Sequence, residues 1–149
     1  MKVWISVLVM SLTALPVLGC PTPPAEEQEV HLAAVNAERA RHGQPALHLS
    51  PELSVIAQLH ACDMAQRGYF SHTSPEGIGM MGRVRRAGLT YVCWAGENIA
   101  HRHPDIPTVI ESWMRSPGHR SNILSDRFEF VGFGRGEGPY WVQVFGGAC

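Results

Sequence analysis

Lysine is almost missing from this chain: Lys2 is its only one in 149 residues. Lys plus Arg number 12 against 13 Asp plus Glu, a formal net charge of -1. A chain with no basic surplus has little to offer a phosphate backbone, so no nucleic-acid partner is expected. No apolar run reaches the roughly 20 residues needed to cross a bilayer as a helix. There is also no HExxH pair, no GxSxG elbow and no CxxC spacing. These gaps remove the usual sequence signs of a zinc peptidase, a serine hydrolase and a zinc-ribbon fold. What is present suits one ordinary globular domain: 45% hydrophobic residues, with 15 Gly and 11 Pro to supply turns.

The first 19 residues differ from the rest. Lys2 is followed by an apolar stretch from Val3 to Leu15, and then by Pro16 and Val17-Leu18-Gly19-Cys20. A short positive start and an apolar run too short to span are the proportions of a signal peptide. The Gly19-Cys20 pair is similar to a bacterial lipobox, so a lipid on Cys20 is expected to anchor the chain. Residues 20–28, with Pro-Thr-Pro-Pro after Cys20, read as a stiff tether, and residues 29–149 as the folded domain. The other cysteines are Cys62, Cys93 and Cys149. In an exported chain they point to disulfides. If Cys20 carries lipid, one of these three is odd; if it does not, three pairings are open. Cys93 with Cys149 is the preferred pair, pinning the chain end to the body of the domain.

Helix signals dominate the first half. Glu26 to His42 reads as a helix with a stripe of Val30, Ala33, Ala34 and Ala37. Ser50-Pro51 opens a second, carrying Leu53, Ile56, Ala57, His60 and Met64 on one face and closed by Gly68. A short helix over Met80 to Ala87 and another over Ile106 to Met114 follow, with one more turn after Ser116-Pro117. Phe128 to Gly134 and Tyr140 to Phe145 read as a hairpin, and Trp94 to Ala100 as a third strand. Helices first and strands mostly last make this an α+β chain. Within it, His72, Glu97, Glu111 and His119 stand out. A carboxylate inside the apolar strand around Glu97 needs a partner if buried, and two His with one carboxylate suffice for a divalent metal such as zinc. His60 is assigned to the core stripe, Arg83, Arg85 and Arg86 to a wet helix face, and Gly96 and Gly118 to close backbone approach.

The strings FSHTSPEG, AGENIA, WMRSPGHRSNIL and YWVQVFG occur in this order. They are similar to the motifs of bacterial members of the CAP superfamily, which includes cysteine-rich secretory, antigen 5 and pathogenesis-related proteins. The resemblance covers about residues 29–146. It implies a three-layer α-β-α sandwich with a small antiparallel sheet and a surface cleft lined by His and acidic residues. His72 and Glu97 map onto that cleft directly, and the His119 of the SPGHR turn is the second imidazole. Asn98, Glu111, Asn122, Tyr140 and Gln143 are accessory candidates. His72, Glu97 and His119 are also the candidate metal ligands. The implied function is an extracytoplasmic, monomeric, non-catalytic binding module for a lipid, glycan, peptide or divalent metal. A metal-assisted hydrolase or peptidase of the envelope, and a scaffold for protein partners, are the alternatives.

Overall fold

The computed structural model describes residues 19–149; the leader expected over residues 1–19 lies, but for Gly19, outside them. The elements are α1 (Ala25–Arg41), β1 (His48–Leu49), α2 (Pro51–Arg67), α3 (Met80–Arg86), β2 (Val92–His101), α4 (Ile106–Arg115), α5 (Pro117–Leu124), β3 (Phe130–Gly136) and β4 (Tyr140–Ala148). No helix among the described residues is long and apolar enough to cross a membrane.

The four strands form one sheet in the order β1-β3-β4-β2. β2 and β3 both pair antiparallel with β4, whereas the two-residue β1 runs parallel to β3. The sheet is therefore mixed at one edge, where a purely antiparallel one was expected. On one face α1, α4 and α5 cover Val131, Phe133, Trp141 and Phe145, with Trp113 and Ile123 filling the space between. On the other face α2 packs with Leu53, Ile56, Ala57, Ala61 and Met64 against Ile99, Val142 and Val144. This is the α-β-α sandwich.

The second helix fits its sequence signals. Ser50 accepts a hydrogen bond from the Leu53 amide at 3.2 Å, Pro51 occupies the first turn, and Gly68 ends the helix at φ 67. Its approach to the sheet is set by glycine. A Cβ at Gly132, Gly134 or Gly136 would overlap the α2 backbone at Leu53–Ser54, Ala57–Gln58 or Ala61. From Gly132 onward every second residue of β3 is bare, so that the helix can lie directly on the strand. Ser54 and Gln58 complete the docking: Ser54 Oγ accepts from the Phe133 amide at 3.3 Å, and Gln58 Oε1 from that of Arg135 at 2.7 Å. Beyond the end of short β1, these side chains replace the missing strand.

The first helix departs from its reading. Val30, Ala33 and Ala37 are exposed, and the buried stripe is His31, Val35 and Arg39. Arg39 is fully buried because its guanidinium donates to the carbonyls of Pro45, Ile123 and Ser125 at 2.7–2.8 Å. The buried face of the helix therefore carries polar side chains that find hydrogen-bond partners inside the domain, Arg39 through Nε and Nη1 and His31 through Gln143.

The cysteines pair as Cys93–Cys149, with Cα atoms 5.0 Å apart, and Cys20–Cys62, with Cα atoms 6.0 Å apart. The second pair departs from the expectation for Cys20. A sulfur joined to Cys62 cannot also carry a thioether-linked lipid. Nor is 20–28 all tether, since α1 begins at Ala25. Pro23 is tied down by Gln28 Nε2, which donates to its carbonyl at 2.9 Å.

Candidate functional site

The site gathers where α2, the 68–79 loop, α3 and α5 meet β2. Glu97 lies mid-strand on β2, opposite Val144 of β4. Its side chain is 3% exposed, so its charge must be compensated within the protein. His72 and Arg83 do this. His72 Nδ1 lies 2.8 Å from Glu97 Oε1, and Arg83 Nη2 lies 2.5 Å from Oε2. In the neutral ring, Nδ1–H donates to the carboxylate and leaves the lone pair on Nε2. The His72 side chain is 53% exposed, so a buried carboxylate orients an accessible imidazole.

Arg83 was placed on a wet helix face, and the structure corrects this. Its guanidinium is largely buried, and Nη1 donates to the carbonyls of His72 and Ile78, both at 3.1 Å. One arginine thus holds α3, the loop and β2 together. His60 sits beside it on α2, buried as its helical spacing implied. Its Nε2 lies 3.0 Å from the Ser71 carbonyl and 3.9 Å from Glu97 Oε1. The shorter contact takes the proton, so His60 braces the loop that presents His72. Burial is the main cause lowering its pKa; the Glu97 charge opposes that shift and the Arg83 charge adds to it.

His119 reaches the same region from α5. Its Nδ1 lies 2.9 Å from Ser116 Oγ, and its backbone carbonyl accepts from Asn98 Nδ2 at 3.1 Å. Burial is the main cause lowering its pKa, with a smaller lowering from His72. Asn98, Asn122 and Gln143 lie behind the cleft as a buried amide chain. Asn122 Nδ2 donates to Asn98 Oδ1 at 2.9 Å and to the Glu97 carbonyl at 3.1 Å. Asn98 Nδ2 also donates to Gln143 Oε1 at 3.1 Å, and Gln143 Nε2 to His31 Nε2 at 3.3 Å. These groups fix the register of α5 on the sheet. Gly96 admits that approach, because a Cβ there would press on Phe128 and Asn122; Gly118 has open space around it, contrary to its reading.

Two accessory candidates are not brought to the site. Glu111 is on the exposed face of α4, paired with Arg115. Tyr140 pairs across the sheet with His101, four residues along β2 from Glu97, and stacks on that ring at 3.9 Å. Sequence reasoning missed Arg83 as a site residue. The signal available was a single buried carboxylate with an arginine on the preceding short helix, and spacing alone does not distinguish Arg83 from Arg85 or Arg86.

The donor set does not fit a divalent metal. Among the described residues no three His, Cys, Asp or Glu side chains gather as a metal-binding group. Glu97 already has both oxygens engaged, one by a permanent cation.

Next to this polar centre an apolar groove of about 660 Å³ runs between α2 and α3. Val55, Ile56, Leu59, Ile78 and Leu89 supply its apolar surface, and His60 and Arg83 also line it. Leu59 is 62% and Val55 48% exposed, one helical turn apart on α2.

A family model described as the CAP, cysteine-rich secretory protein family, matches residues 32–145. The chain belongs to that family. This CAP domain is 38% identical over 128 residues to the uncharacterized protein YkwD of Bacillus subtilis strain 168, covering 85% of this chain and 49% of YkwD. It is 32% identical over 114 residues to the uncharacterized membrane protein YlbC of the same organism, covering 76% of this chain and 32% of YlbC. It thus spans half or less of either relative. Among solved structures it resembles an extracellular SCP-domain protein of Bacillus anthracis, with 32% identity and a TM-score of 0.75. That match covers 82% of this chain and 40% of the other. An outer surface protein of Borrelia burgdorferi shares the CAP fold, with a TM-score of 0.78 at 18% identity, covering 85% and 96% of the two chains.

Proposed function

We propose that this CAP domain is a non-catalytic extracytoplasmic binding module whose ligand lays an apolar chain, such as a lipid acyl chain, in the groove between α2 and α3. The groove carries the reading. At about 660 Å³ it has the size of a small-molecule site, and an apolar floor of Val55, Ile56, Leu59, Ile78 and Leu89 bordered by charged side chains such as Glu52, Asp63, Arg67 and Arg86 suits an amphipathic ligand. Leaving Val55 and Leu59 in water at adjacent turns gives up hydrophobic stabilisation that a bound chain would recover. The extracellular and surface neighbours support a location outside the cytoplasm. Anchoring through a lipid on Cys20 requires that sulfur to be free of Cys62.

Displacement of a fluorescent fatty acid from the purified domain tests this. Leu59→Glu and Val55→Glu alter exposed positions and leave the core intact, so both variants fold. Each weakens binding at least about tenfold by placing a charge against the chain. Unchanged affinity in both variants overturns the reading.

The hydrolase reading retains one favourable observation, the Glu97–His72 pair with its accessible Nε2, which has the form of an oriented general base. The neighbouring serines are engaged locally, Ser71 Oγ and Ser74 Oγ accepting from the amides of Thr73 and Ile78, and neither is hydrogen-bonded to His72. Turnover of an envelope substrate that disappears in His72→Ala would favour this alternative.

A further inference from the structure

Glu97 is approached from three elements. His60 comes from α2, His72 from the loop and Arg83 from α3, while Asn122 of α5 holds the Glu97 backbone carbonyl. Only one of these groups bears a charge at every physiological pH, since a guanidinium stays protonated. It takes Glu97 Oε2 and ties that oxygen to the 72–78 loop through the His72 and Ile78 carbonyls. We propose that Arg83 is the resident cation of this cleft: it neutralises Glu97 and excludes divalent metal from the Glu97–His72 pair.

The chemistry is a competition for one carboxylate. A dication bound to Glu97 would need lone pairs now shared with Arg83 and His72, and it would stand beside a guanidinium that cannot lose its proton. Arg83 cannot swing clear without releasing the two loop carbonyls it satisfies. An unpaired, largely buried guanidinium would be the alternative. The side chain that excludes the metal is thus the one that builds the loop carrying His72. A cleft of this kind presents imidazoles over a neutral ion pair, and this holds whether or not the neighbouring groove binds an acyl chain.

Zinc titration of the full folded domain by calorimetry tests the proposal, using wild type, Arg83→Met, Arg83→Met/His72→Ala and Glu97→Gln. Methionine keeps an unbranched side chain without the charge. Wild type and Glu97→Gln show the same absence of one-to-one binding at micromolar zinc. Arg83→Met gains a single site at least about tenfold tighter than any in wild type, the scale of removing one like charge beside a dication, and loses it with His72→Ala. A wild-type site that disappears in Glu97→Gln overturns the proposal. So does an Arg83→Met protein that folds and gains nothing. Should Arg83→Met fail to fold, the wild-type histidine ring signals in an NMR zinc titration decide. Stoichiometric shifts at His72 refute the proposal, and rings that stay unmoved uphold it.

Discussion

His31 is buried between Phe133, stacked at 4.0 Å, and Trp113 and Trp141. Burial pushes its pKa down from 6.5 to about 3. The hydrogen bonds act in the same direction. The Gln143 amide donates to the ring's Nε2, and it cannot readily turn around because its Oε1 accepts from Asn98. Between pH 6.5 and 3 the unfolded chain binds a proton at His31 that the folded one refuses, so stability is lost as pH falls through that window. Shifting one histidine from 6.5 to about 3 removes about 2 kcal/mol between pH 7.5 and pH 5. His60 and His119, also shifted down, add losses of the same sign. Urea unfolding at both pH values, for wild type and His31→Gln, isolates the contribution. The glutamine variant is less stable at pH 7.5, having lost the stacked ring, but it loses about 2 kcal/mol less than wild type on acidification. Equal losses in the two proteins would refute this account, as would a His31 NMR titration in the folded state with a midpoint near 6.5.

Two further outcomes test the packing and the chain start. Gly134→Ala forces a Cβ into the α2 backbone at Ala57–Gln58; thermal unfolding should show a loss of about 3 kcal/mol or more, against a small change for Gly118→Ala, where space is open. In protein purified without reductant, thiol counting under denaturing conditions should find no free cysteine, with Cys20 joined to Cys62. One reactive thiol at Cys62 together with fatty-acid labelling would show that lipid takes the Cys20 sulfur instead.

Much of the scaffold was legible because its signals are local. Ser50, Pro51 and Gly68 mark the ends of α2 by capping chemistry alone, and the Leu53-to-Met64 face is written in a 3.6-residue period that burial then uses. The β3–β4 hairpin announced itself through short aromatic and β-branched runs joined by the turn residues Arg135 to Pro139. The stripe of α1 was misread because its buried face is His31, Val35 and Arg39. The partners of His31 and of Arg39 Nε and Nη1 are Gln143, Pro45, Ile123 and Ser125, which lie elsewhere in the chain or beyond the helix end.

The amino-acid sequence by itself determined the family, the order of the helices and of the three longer strands, and the need for a partner to Glu97, since motif order, capping and the cost of a buried charge are properties of the chain. The two-residue β1 exists only through its pairing with β3. Tertiary structure alone decided which partner Glu97 takes. Three arginines share α3, and only the sandwich's packing aims Arg83 at the carboxylate while leaving Arg85 and Arg86 out of the pair. The same packing turned His60 into the brace of the His72 loop and left Glu111 and Tyr140 outside the site. Charge pairing acts through space over a few ångströms, and sequence separation carries no record of that distance until α2, α3 and β2 are laid against one another.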